Sequence, residues 1–451
     1  MHLKGKKIVV VGLARTGVAV AKFASERGAI VTVTDMKTKS ELHEAVKQLV
    51  PYRKIKYELG RHQIKTFLAS DLIVVSPGVP LNIEPLVESK NKYKEIISEL
   101  EFACRFIRIP MIAITGTNGK TTTTLMTGQM FKNAGKNAFV GGNVGNALTN
   151  LLLSRESYQY VVCEVSSFQL ETIKKFKPNV AIILNLTADH LDRHGTMESY
   201  KAFKGRIFEN QTSADYLILN ADDPLLAGYA SLAKSRVLYF KKCAPSQSPE
   251  GICYEEPYFY LGSKYTGKRQ FRTDKIQILG AHNKENFMAA ILAAKIFKCS
   301  DEAIQRTLDT FEGVPHRLEY VKTCGYVDFY NDSKATNVDS VIRSLESFQK
   351  PLILIMGGRD KGGNFEVLRP LIQKKVKILI LMGEAKEKIN RAIGDYTETF
   401  VVGTLEEAVF MSYQKSRRGD VILFSPGCAS FDEFKNYEDR GNRFKGLLRD
   451  L

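Results

Sequence analysis

The stretch "AITGTNGKTT", from Ala113 to Thr122, sets two glycines and a lysine among threonines directly after a short apolar run. A strand that ends in a glycine turn and leads into a helix exposes backbone N–H groups. With a lysine and a hydroxyl, these groups can hold a nucleoside triphosphate and its Mg²⁺. The usual phosphate loop has a glycine six residues before its lysine, but Ile114 stands there. The stretch therefore predicts a parallel α/β domain with a shortened phosphate-binding loop.

The lysine end of this loop matches the usual pattern. We expect Lys120 to contact the β- and γ-phosphates, Thr121 to place its hydroxyl on Mg²⁺, and the helix from Thr122 to point its N-terminus at the anion. The residues expected around the phosphates are Gly116, Thr117, Asn118, Gly119, Lys120, Thr121 and Thr122. A glycine turn with an exposed lysine and no ligand is the alternative. The loop predicts a nucleotide but no particular reaction.

Short runs rich in Val, Ile and Leu alternate with helical stretches along nearly the whole chain, which is typical of parallel sheets with crossover helices. Three clusters of such runs predict three α/β domains. They are a Rossmann-like N-terminal domain (1–97), a central P-loop-type ATPase domain with a mainly parallel sheet (98–313) and a Rossmann-like C-terminal domain (314–451). The segment 86–106 is predicted to be helical, and the irregular segment 240–276 is predicted to be a β excursion on the middle domain.

Composition limits the function classes. The 451 residues carry a formal net charge of +16, which suits nucleic acid or small polyanionic substrates such as nucleotides. The basic residues are spread along the chain, which disfavours nucleic acid. No stretch approaches the 18 or more apolar residues of a membrane span, so a cytoplasmic protein without a membrane partner is expected. Seven cysteines without a C-x-x-C pair predict reduced thiols.

A second glycine turn, "GLARTG" from Gly12 to Gly17, follows the first predicted strand, and Asp35 ends the second. This is the layout of a dinucleotide fingerprint, but Ala14 replaces the middle glycine that lets a pyrophosphate approach the backbone. The turn predicts either a generic strand-to-helix connection or a modified nucleotide-diphosphate site. Ser76 and Gly78 in "VVSPGVP" also lie at the carboxyl end of a strand, where open sheets bind ligands.

Polar residues at two later strand ends point to a metal. Glu164 in "VCEVSS" lies at the end of a β run, and Asp189 and His190 follow another strand in "LNLTADHLDRHG". Mg²⁺ prefers oxygen ligands, so Glu164 is the expected direct ligand and His190 a second one. Taken singly, Glu164 could be a cap or a paired surface acid, and His190 a residue that starts a helix. Their joint placement favours a site.

The ordered set of motifs resembles the Mur ligases, which are ATP-dependent amide-forming enzymes of peptidoglycan precursor synthesis. The matching motifs are "TGTNGKTTT", "EVSSFQLE" (Glu164 to Glu171), "NLTADHLDRH", "HNKENFMAA" (His282 to Ala290), "PHRLE" and "NDSKATN" (Asn331 to Asn337). The resemblance covers essentially the whole chain. "SSFQLE", "DSKATN" and "SPGCASFDEFKNYEDRG" further resemble the branch that adds D-glutamate to UDP-N-acetylmuramoyl-L-alanine through an acyl phosphate.

The resemblance implies roles for individual residues of the middle domain. The catalytic residues would be Lys120, Glu164, His190 and Lys204, and the metal ligands Thr121, Glu164, His190 and Lys204. Asn143 would lie near the phosphates and the substrate, and Asn286 would contact adenine. Lys204 matches a lysine that the family carbamylates, and a carbamate is an oxygen ligand that could support a second Mg²⁺. A surface lysine on a helix is the alternative.

The resemblance also implies roles in the outer domains. Arg317 and Asp332 would face the nucleotide. The expected substrate-binding residues are Lys334, Thr336, Lys361, Ser430 and Tyr437 for the amino acid, and Thr16, Asp35, Lys37, Ser76 and Gly78 for the UDP moiety. Met36 replaces a hydroxyl residue found in other members, which puts the uracil contacts in question. Tyr437 stands where a phenylalanine also occurs.

The implied partners are small molecules, with no nucleic acid and no membrane, and a monomer is expected. A ligase for a different amino acid is the nearest alternative within the family. Two alternatives come from other classes of protein. The "GLARTG" turn is compatible with a dinucleotide-dependent oxidoreductase, and the net charge is compatible with a nucleic-acid-dependent NTPase.

Overall fold

The computed structural model describes residues 1–143, 145–242, 250–262 and 270–450. These residues form three β-sheets, with helices connecting many of the strands. This agrees with the three predicted clusters of apolar runs. In each sheet most neighbouring strands are parallel, so the carboxyl ends of the strands share one edge. Many of the predicted functional residues lie in the loops along these edges or in the first turns of the helices that follow, whereas Lys204 and Asn286 lie within helices.

The first sheet is parallel and has the strand order β3-β2-β1-β4-β5. Its strands are β1 (Lys7–Val11), β2 (Ile30–Asp35), β3 (Lys56–Leu59), β4 (Leu72–Val75) and β5 (Ile96–Ser98). Its helices are Arg15–Glu26, His43–Leu49, Ile64–Leu68 and Glu84–Asn91. The order reverses at β1, so a crevice opens between the ends of β1 and β4, which is where open sheets bind ligands.

The prediction of a helical segment over 86–106 is wrong at its centre. The helix Glu84–Asn91 ends, and Tyr93 takes up a left-handed backbone conformation with φ 54°. The paired isoleucines of β5 then join the edge of the sheet, since β-branched side chains pack well there. Ser98 accepts a hydrogen bond from the Glu101 amide and so caps the next helix, Glu99–Cys104.

The second sheet has the order β14-β13-β12-β11-β10-β9-β6-β8-β7 among the described residues. Its strands are β6 (Met111–Thr115), β7 (Ala138–Gly142), β8 (Tyr160–Glu164), β9 (Val180–Ile183), β10 (Tyr216–Asn220), β11 (Arg236–Lys242), β12 (Gly251–Glu255), β13 (Tyr258–Leu261) and β14 (Gln270–Arg272). The α-helices described between residues 120 and 310 are Lys120–Asn133, Thr149–Leu153, Ser167–Leu170, Leu191–His194, Met197–Gly205, Tyr229–Leu232, Ala281–Ile296 and Asp301–Thr310.

The predicted β excursion of the middle domain is confirmed where it is described. The strands β12, β13 and β14 pair antiparallel and extend the sheet beyond β11. The parts of the excursion at 243–249 and 263–269 lie outside the described residues. Toward the centre of the sheet, all five residues of β6 are buried between β9 and β8. The glycine loop that follows β6 therefore starts from a fully buried strand.

The third sheet has the order β15-β16-β20-β17-β18-β19, with only the β15–β16 pair antiparallel. Its strands are β15 (Glu319–Cys324), β16 (Val327–Asn331), β17 (Leu352–Gly357), β18 (Val376–Met382), β19 (Glu398–Val401) and β20 (Val421–Phe424). Its α-helices are Val338–Glu346, Arg369–Lys375, Lys386–Ile393, Leu405–Lys415 and Tyr437–Leu447. The crevice of this sheet lies among the ends of β16, β20 and β17.

The chain separates into two compact units. One comprises Met1–Thr273 with Glu285–Thr307, and the other Asp274–Lys284 with Leu308–Leu451. The three predicted domain ranges remain a prediction at the level of their boundaries. Among the described helices, none has both the length and the hydrophobicity needed to cross a bilayer. No disulfide bond joins the cysteines that the structure describes to one another.

Candidate active site

The glycine loop after β6 is held in a conformation that needs its glycines. Gly116 has φ +149° and Gly119 has φ +86°, a backbone range that L side chains rarely adopt. A Cβ atom on Gly119 would lie 2.3 Å from the Oδ1 atom of Asn286. That amide oxygen accepts a hydrogen bond from the Thr123 hydroxyl at 3.2 Å. The loop and the predicted adenine-side residue Asn286 are thus brought together.

Lys120 closes the loop on itself. Its Nζ atom donates hydrogen bonds to the carbonyl oxygens of Gly116 at 2.9 Å and Thr117 at 2.7 Å. The helix begins at Lys120, and its N-terminal residue Gly119 supplies no side-chain cap. Its first N–H groups are therefore suited to an anion. The lysine and the helix N-terminus therefore lie at the same turn, and their contacts with phosphate remain a prediction.

Thr121 and Glu164 bring two side-chain oxygen atoms into contact. The Thr121 hydroxyl donates to the Oε2 atom of Glu164 at 2.7 Å, and the amide of Asn143 donates to Oε1 at 3.1 Å. No group of three or more His, Cys, Asp or Glu residues in the described ranges could enclose a metal. Mg²⁺ is commonly held by one or two carboxylates plus phosphate oxygens and waters rather than by a protein cage. The pair therefore fits Mg²⁺ bound with a nucleotide.

Lys204 is 1% exposed, so the interpretation as a surface lysine is wrong. Its Nζ atom donates to the Gly116 carbonyl at 2.8 Å and to the Thr115 hydroxyl at 3.3 Å. Burial, and after it the like charge of Lys120, holds the pKa of Lys204 well below its usual value, while Asp189 and Glu164 act in the opposite direction. Lys120 and Lys204 therefore both donate to the same carbonyl oxygen of the glycine loop.

His190 enters a one-turn helix with a left-handed φ of 54°. Its Nε2 atom lies 3.6 Å from the Oδ2 atom of Asp189, and its ring packs edge-on against Phe168 at 4.9 Å between centroids. Its side chain is 42% exposed. These contacts place His190 beside Asp189, and its role as a metal ligand remains a prediction.

The predicted residues of the first domain meet at the crevice between β1 and β4. Asp35 accepts hydrogen bonds from the backbone N–H groups of Leu13 at 2.7 Å and Lys37 at 2.9 Å. Ser76 donates to the Gly12 carbonyl at 3.0 Å, and the Thr16 hydroxyl donates to Ser76 at 3.2 Å. Asp35 therefore holds the glycine turn in place, and its remaining lone pairs are available to a ligand hydroxyl.

In the second compact unit, Asp332 is the centre of a buried network. Its Oδ2 atom accepts hydrogen bonds from the hydroxyls of Ser344 at 2.5 Å and Ser425 at 2.8 Å, and its Oδ1 atom accepts one from the Leu318 amide at 3.2 Å. Burial raises the pKa of Asp332, while these hydroxyls and the Arg317 charge oppose the rise. The carboxylate ties together the loops that follow β16 and β20.

Arg317 is presented on a strained backbone. Its neighbours His316 and Leu318 both have left-handed φ values, 65° and 42°. Such residues cost about 1–3 kcal/mol each and cluster at functional sites. The Nε atom of Arg317 is buried and has no hydrogen-bond partner among the described residues. An anionic ligand would supply the missing acceptor, which agrees with the predicted nucleotide role.

Four of the predicted amino-acid-binding residues, Lys334, Thr336, Lys361 and Ser430, lie in loops that follow strands of the third sheet, and Tyr437 begins its last α-helix. The Nζ atom of Lys334 lies 5.5 Å from the ring centroid of Tyr437. Ser430 is 2% exposed in the loop after β20, Thr336 is half-buried in the loop after β16, and Lys361 is exposed in the loop after β17. The structure brings Lys334 and Tyr437 together, and the ligand contacts of all five residues remain predictions.

Three family models cover most of the chain. The description "Mur ligase MurD-like, N-terminal domain" matches residues 6–98, "Mur ligase middle domain" matches 114–294, and "Mur ligase, glutamate ligase domain" matches 316–428. The chain belongs to the Mur ligase family.

Similar proteins span the full length of this Mur ligase. A UDP-N-acetylmuramoylalanine–D-glutamate ligase of Geotalea uraniireducens is 49% identical over 452 residues, covering 100% of this chain and 99% of the relative. An enzyme of the same name from Bdellovibrio bacteriovorus is 45% identical, covering 99% of this chain and 98% of the relative.

Solved structures share the fold. A UDP-N-acetylmuramate–alanine ligase from Thermotoga maritima has a TM-score of 0.63 at 19% identity and covers 99% of both chains. A pseudomurein peptide ligase type C from Methanothermus fervidus has a TM-score of 0.61 at 22% identity, covering 99% of this chain and 100% of the other. At these identities the likeness concerns the three-domain α/β architecture.

The sequence analysis missed one residue of the third domain of this Mur ligase. Arg440 is fully buried, and its guanidinium donates to the Ser333 hydroxyl and carbonyl and to the carbonyls of Cys428 and Ala429 at 2.8–3.2 Å. Burial lowers its pKa to about 10. It fixes the loops that carry Lys334 and Ser430. An arginine one turn from Phe444 on the buried face of its helix is the signal that could have found it.

Gly119→Ala is expected to disrupt nucleotide binding in this Mur ligase. The added Cβ would collide with Asn286 and would hold an unfavourable φ, so the heat-induced unfolding midpoint should fall and ATP should no longer raise it. Gly135→Ala is the matched control, because Gly135 has φ +68° and nothing within 4 Å of its Cβ position. It should cost about 1–2 kcal/mol of stability and keep the shift with ATP. Equal shifts with ATP in both variants would contradict the loop assignment.

Proposed function

We propose that this Mur ligase joins D-glutamate to UDP-N-acetylmuramoyl-L-alanine, with cleavage of ATP to ADP and phosphate, in peptidoglycan precursor synthesis. The observation that carries the proposal is the name shared by relatives that are 45–49% identical and cover 99–100% of this chain. The loop geometry supports the ATP-dependent half of the reaction. It sets Lys120, Thr121 and Glu164 on one edge of the sheet, at the N-terminus of a helix.

The chemistry explains the need for ATP. A carboxylate is a poor electrophile, and its oxygen is a poor leaving group. An oxygen of the L-alanine carboxylate attacks the γ-phosphorus, ADP leaves, and an acyl phosphate forms. The D-glutamate amine then attacks the carbonyl carbon and loses a proton, and the tetrahedral intermediate expels phosphate. Catalysis of the first step is mainly positioning and charge stabilisation, and Lys120 and the helix N-terminus provide both.

Mg²⁺ would be held by Thr121 and Glu164, with His190 as a further proposed ligand. When bound, it would neutralise charge on the phosphate oxygens. Asn143 orients Glu164 through its hydrogen bond to Oε1 at 3.1 Å. The described residues offer few carboxylates at this edge, which suits a site completed by the nucleotide.

A second Mg²⁺ would need another oxygen ligand, and we propose that a carbamate on Lys204 provides it. The amine forms a carbamate only when it is neutral, and burial favours the neutral form. The amine lies 2.8 Å from the Gly116 carbonyl, at the base of the phosphate loop. A carbamate there would also remove the repulsion between Lys204 and Lys120.

The outer domains would bind the two other substrates. We propose that Thr16, Asp35, Lys37, Ser76 and Gly78 contact the UDP moiety, and that Lys334, Thr336, Lys361, Ser430 and Tyr437 contact D-glutamate. Arg317, Asp332 and Asn286 would contact the nucleotide. Lysine and hydroxyl donors suit the two carboxylates of glutamate. All three substrates are anions, which agrees with the net charge of +16. The enzyme would act as a cytoplasmic monomer.

Phosphate release tests the amino-acid specificity. With ATP and UDP-N-acetylmuramoyl-L-alanine, we expect D-glutamate to stimulate release by at least about 100-fold over L-glutamate, L-alanine, L-lysine or diaminopimelate, because a misplaced or missing carboxylate leaves the proposed lysine and hydroxyl donors unpaired. Stimulation by another amino acid would replace D-glutamate in the proposal. Release that depends on RNA or DNA, or turnover that changes NAD(P)H absorbance, would support the alternative classes instead.

A further inference from the structure

The guanidinium of Arg193 is bound on two sides. On one side, Nη1 donates to the Pro77 carbonyl at 2.8 Å, and Nη2 donates to the Val79 carbonyl at 3.3 Å. On the other side, Nη2 donates to the Oε2 atom of Glu171 at 3.2 Å, and the guanidinium carbon lies 4.0 Å from the centroid of the Phe168 ring. One side chain therefore connects the loop after β4 with the segment after β8.

The two segments that Arg193 contacts lie at the proposed sites of different substrates. The loop after β4 carries Ser76, which donates to the Gly12 carbonyl and accepts from Thr16 at the proposed UDP site. Glu171 and Phe168 follow Glu164, the proposed Mg²⁺ ligand, and Arg193 itself follows His190 by three residues. The connection therefore runs from the crevice of the first sheet to the phosphate-binding edge of the second.

The backbone around Arg193 is constrained. Arg193 lies in the single turn Leu191–His194, which begins after His190 in the left-handed conformation and ends at Gly195 with φ 77°. The ring of His194 stacks on Phe168 at 5.2 Å, and its Nε2 atom lies 2.9 Å from the Ser167 hydroxyl. The Arg193 side chain is 20% exposed, and that of Glu171 is 8% exposed. A charge-assisted pair so enclosed is screened little by solvent.

We propose that Arg193 is a positioning residue that fixes the UDP-sugar site relative to the ATP site. This inference rests on the proposed function. Transfer of the γ-phosphoryl group needs the attacking carboxylate oxygen about 3–3.5 Å from phosphorus and in line with the leaving oxygen. The carboxylate is at the end of a substrate held by the first domain, and the γ-phosphate is held by the loop of the middle domain. Arg193 sets the distance between them.

Only an arginine can make this set of contacts. The planar guanidinium donates in three directions within its plane and stacks its face on Phe168. A lysine at the same position offers one compact ammonium that cannot reach both carbonyls and Glu171 together. Arg193→Lys therefore keeps the charge and loosens the geometry. We expect it to lower kcat by about 10- to 100-fold, with the KM for ATP changed less than about 2-fold.

Arg206 provides a matched control within the same domain. Its guanidinium donates to the carbonyls of Leu170, Glu171 and Ile173 at 2.6–2.8 Å, and its side chain is 27% exposed. It holds the same segment as Arg193, but its hydrogen-bond partners in the described part of the chain all lie in the middle domain. Arg206→Lys should lower the unfolding midpoint while kcat changes less than about 2-fold, since no substrate distance depends on it.

The experiment compares steady-state kinetics of the wild type, Arg193→Lys and Arg206→Lys, together with ATP affinity measured by calorimetry in the absence of UDP-substrate. Arg193→Lys should lose kcat, raise the KM for the UDP-substrate and keep its ATP affinity. Glu171→Gln, which leaves the donors of Arg193 and its first-domain acceptors in place, should show the same pattern at smaller size. Glu171→Gln is the milder substitution, and it tests the inference if Arg193→Lys fails to fold.

Three outcomes would overturn the inference. They are a kcat for Arg193→Lys and Glu171→Gln within about 2-fold of the wild type, an equal loss of kcat in Arg206→Lys, or a loss of ATP affinity that accounts for the whole effect. Absence of turnover by the wild type with UDP-N-acetylmuramoyl-L-alanine and D-glutamate would instead contradict the proposed function. The wild type is therefore assayed before any variant.

Discussion

Lys120→Ala should abolish turnover, with kcat/KM reduced by about 10³-fold or more, which corresponds to about 4 kcal/mol of transition-state stabilisation. Two losses combine in this variant. The ammonium no longer neutralises the charge on the transferring phosphoryl group. The carbonyls of Gly116 and Thr117 also lose their donor, so the loop that presents its N–H groups to the phosphates is no longer closed.

The measurement is phosphate release together with ATP affinity by calorimetry. Lys132→Ala is the control, because Lys132 is an exposed lysine in the last turn of the same helix. It should leave both quantities within about 2-fold, as expected for a surface substitution away from a site. Turnover above about one tenth of the wild type in Lys120→Ala would remove this lysine from the reaction.

The local elements of the site could be predicted from the sequence because each is encoded within a few residues. Apolar β-branched runs set the strands, and glycines followed by Lys120 and Thr121 set the phosphate loop. Glu164 could be placed because it ends a strand, and parallel strands end at one edge. The register pairs Ile114 with Glu164 and leaves Thr121 within 2.7 Å of the carboxylate.

What could not be predicted depends on contacts between distant residues. Lys204 is 88 positions from Gly116 in the chain, and only the packing of its helix shows that it is buried against the loop. Asp35 ends a strand as expected. The hydrogen bond that it accepts from the Leu13 amide depends on the folded conformation of the Gly12–Gly17 turn. The strain beside Arg317 likewise has no clear sequence signal, because most histidines have negative φ and Leu318 is not a residue that favours a left-handed backbone.

The strand Ile96–Ser98 shows a different limit. Its three residues lie between two helices and are too short to display a period of two, so the surrounding helical pattern dominated the prediction. Tertiary pairing with β4 decides the conformation there. Arg440 was overlooked for a related reason, since a charged residue in a polar helix is normally exposed, and its four carbonyl and hydroxyl acceptors come from two loops.

Lys204→Arg should lower kcat by about 10³-fold if the carbamate on Lys204 provides the ligand for a second Mg²⁺. A guanidinium keeps the positive charge and cannot form the carbamate. Lys201→Arg is the matched control, because Lys201 lies one turn earlier on the same helix, with its Nζ atom 5.5 Å from the ring centroid of Tyr229. It should retain activity within about 2-fold.

Carbon-13 NMR of the protein in labelled bicarbonate gives a readout that does not depend on turnover. The wild type and Lys201→Arg should show one carbamate resonance that Lys204→Arg lacks. The neutral amine and CO₂ combine with release of a proton, so the resonance should be stronger at pH 8 than at pH 6. Burial lowers the pKa of Lys204, so this amine is neutral in a larger fraction of molecules than an exposed lysine at either pH. A resonance that persists in Lys204→Arg would come from another amine. A fully active wild type without a carbamate resonance would show that Lys204 acts instead through its ammonium, which donates to the Gly116 carbonyl.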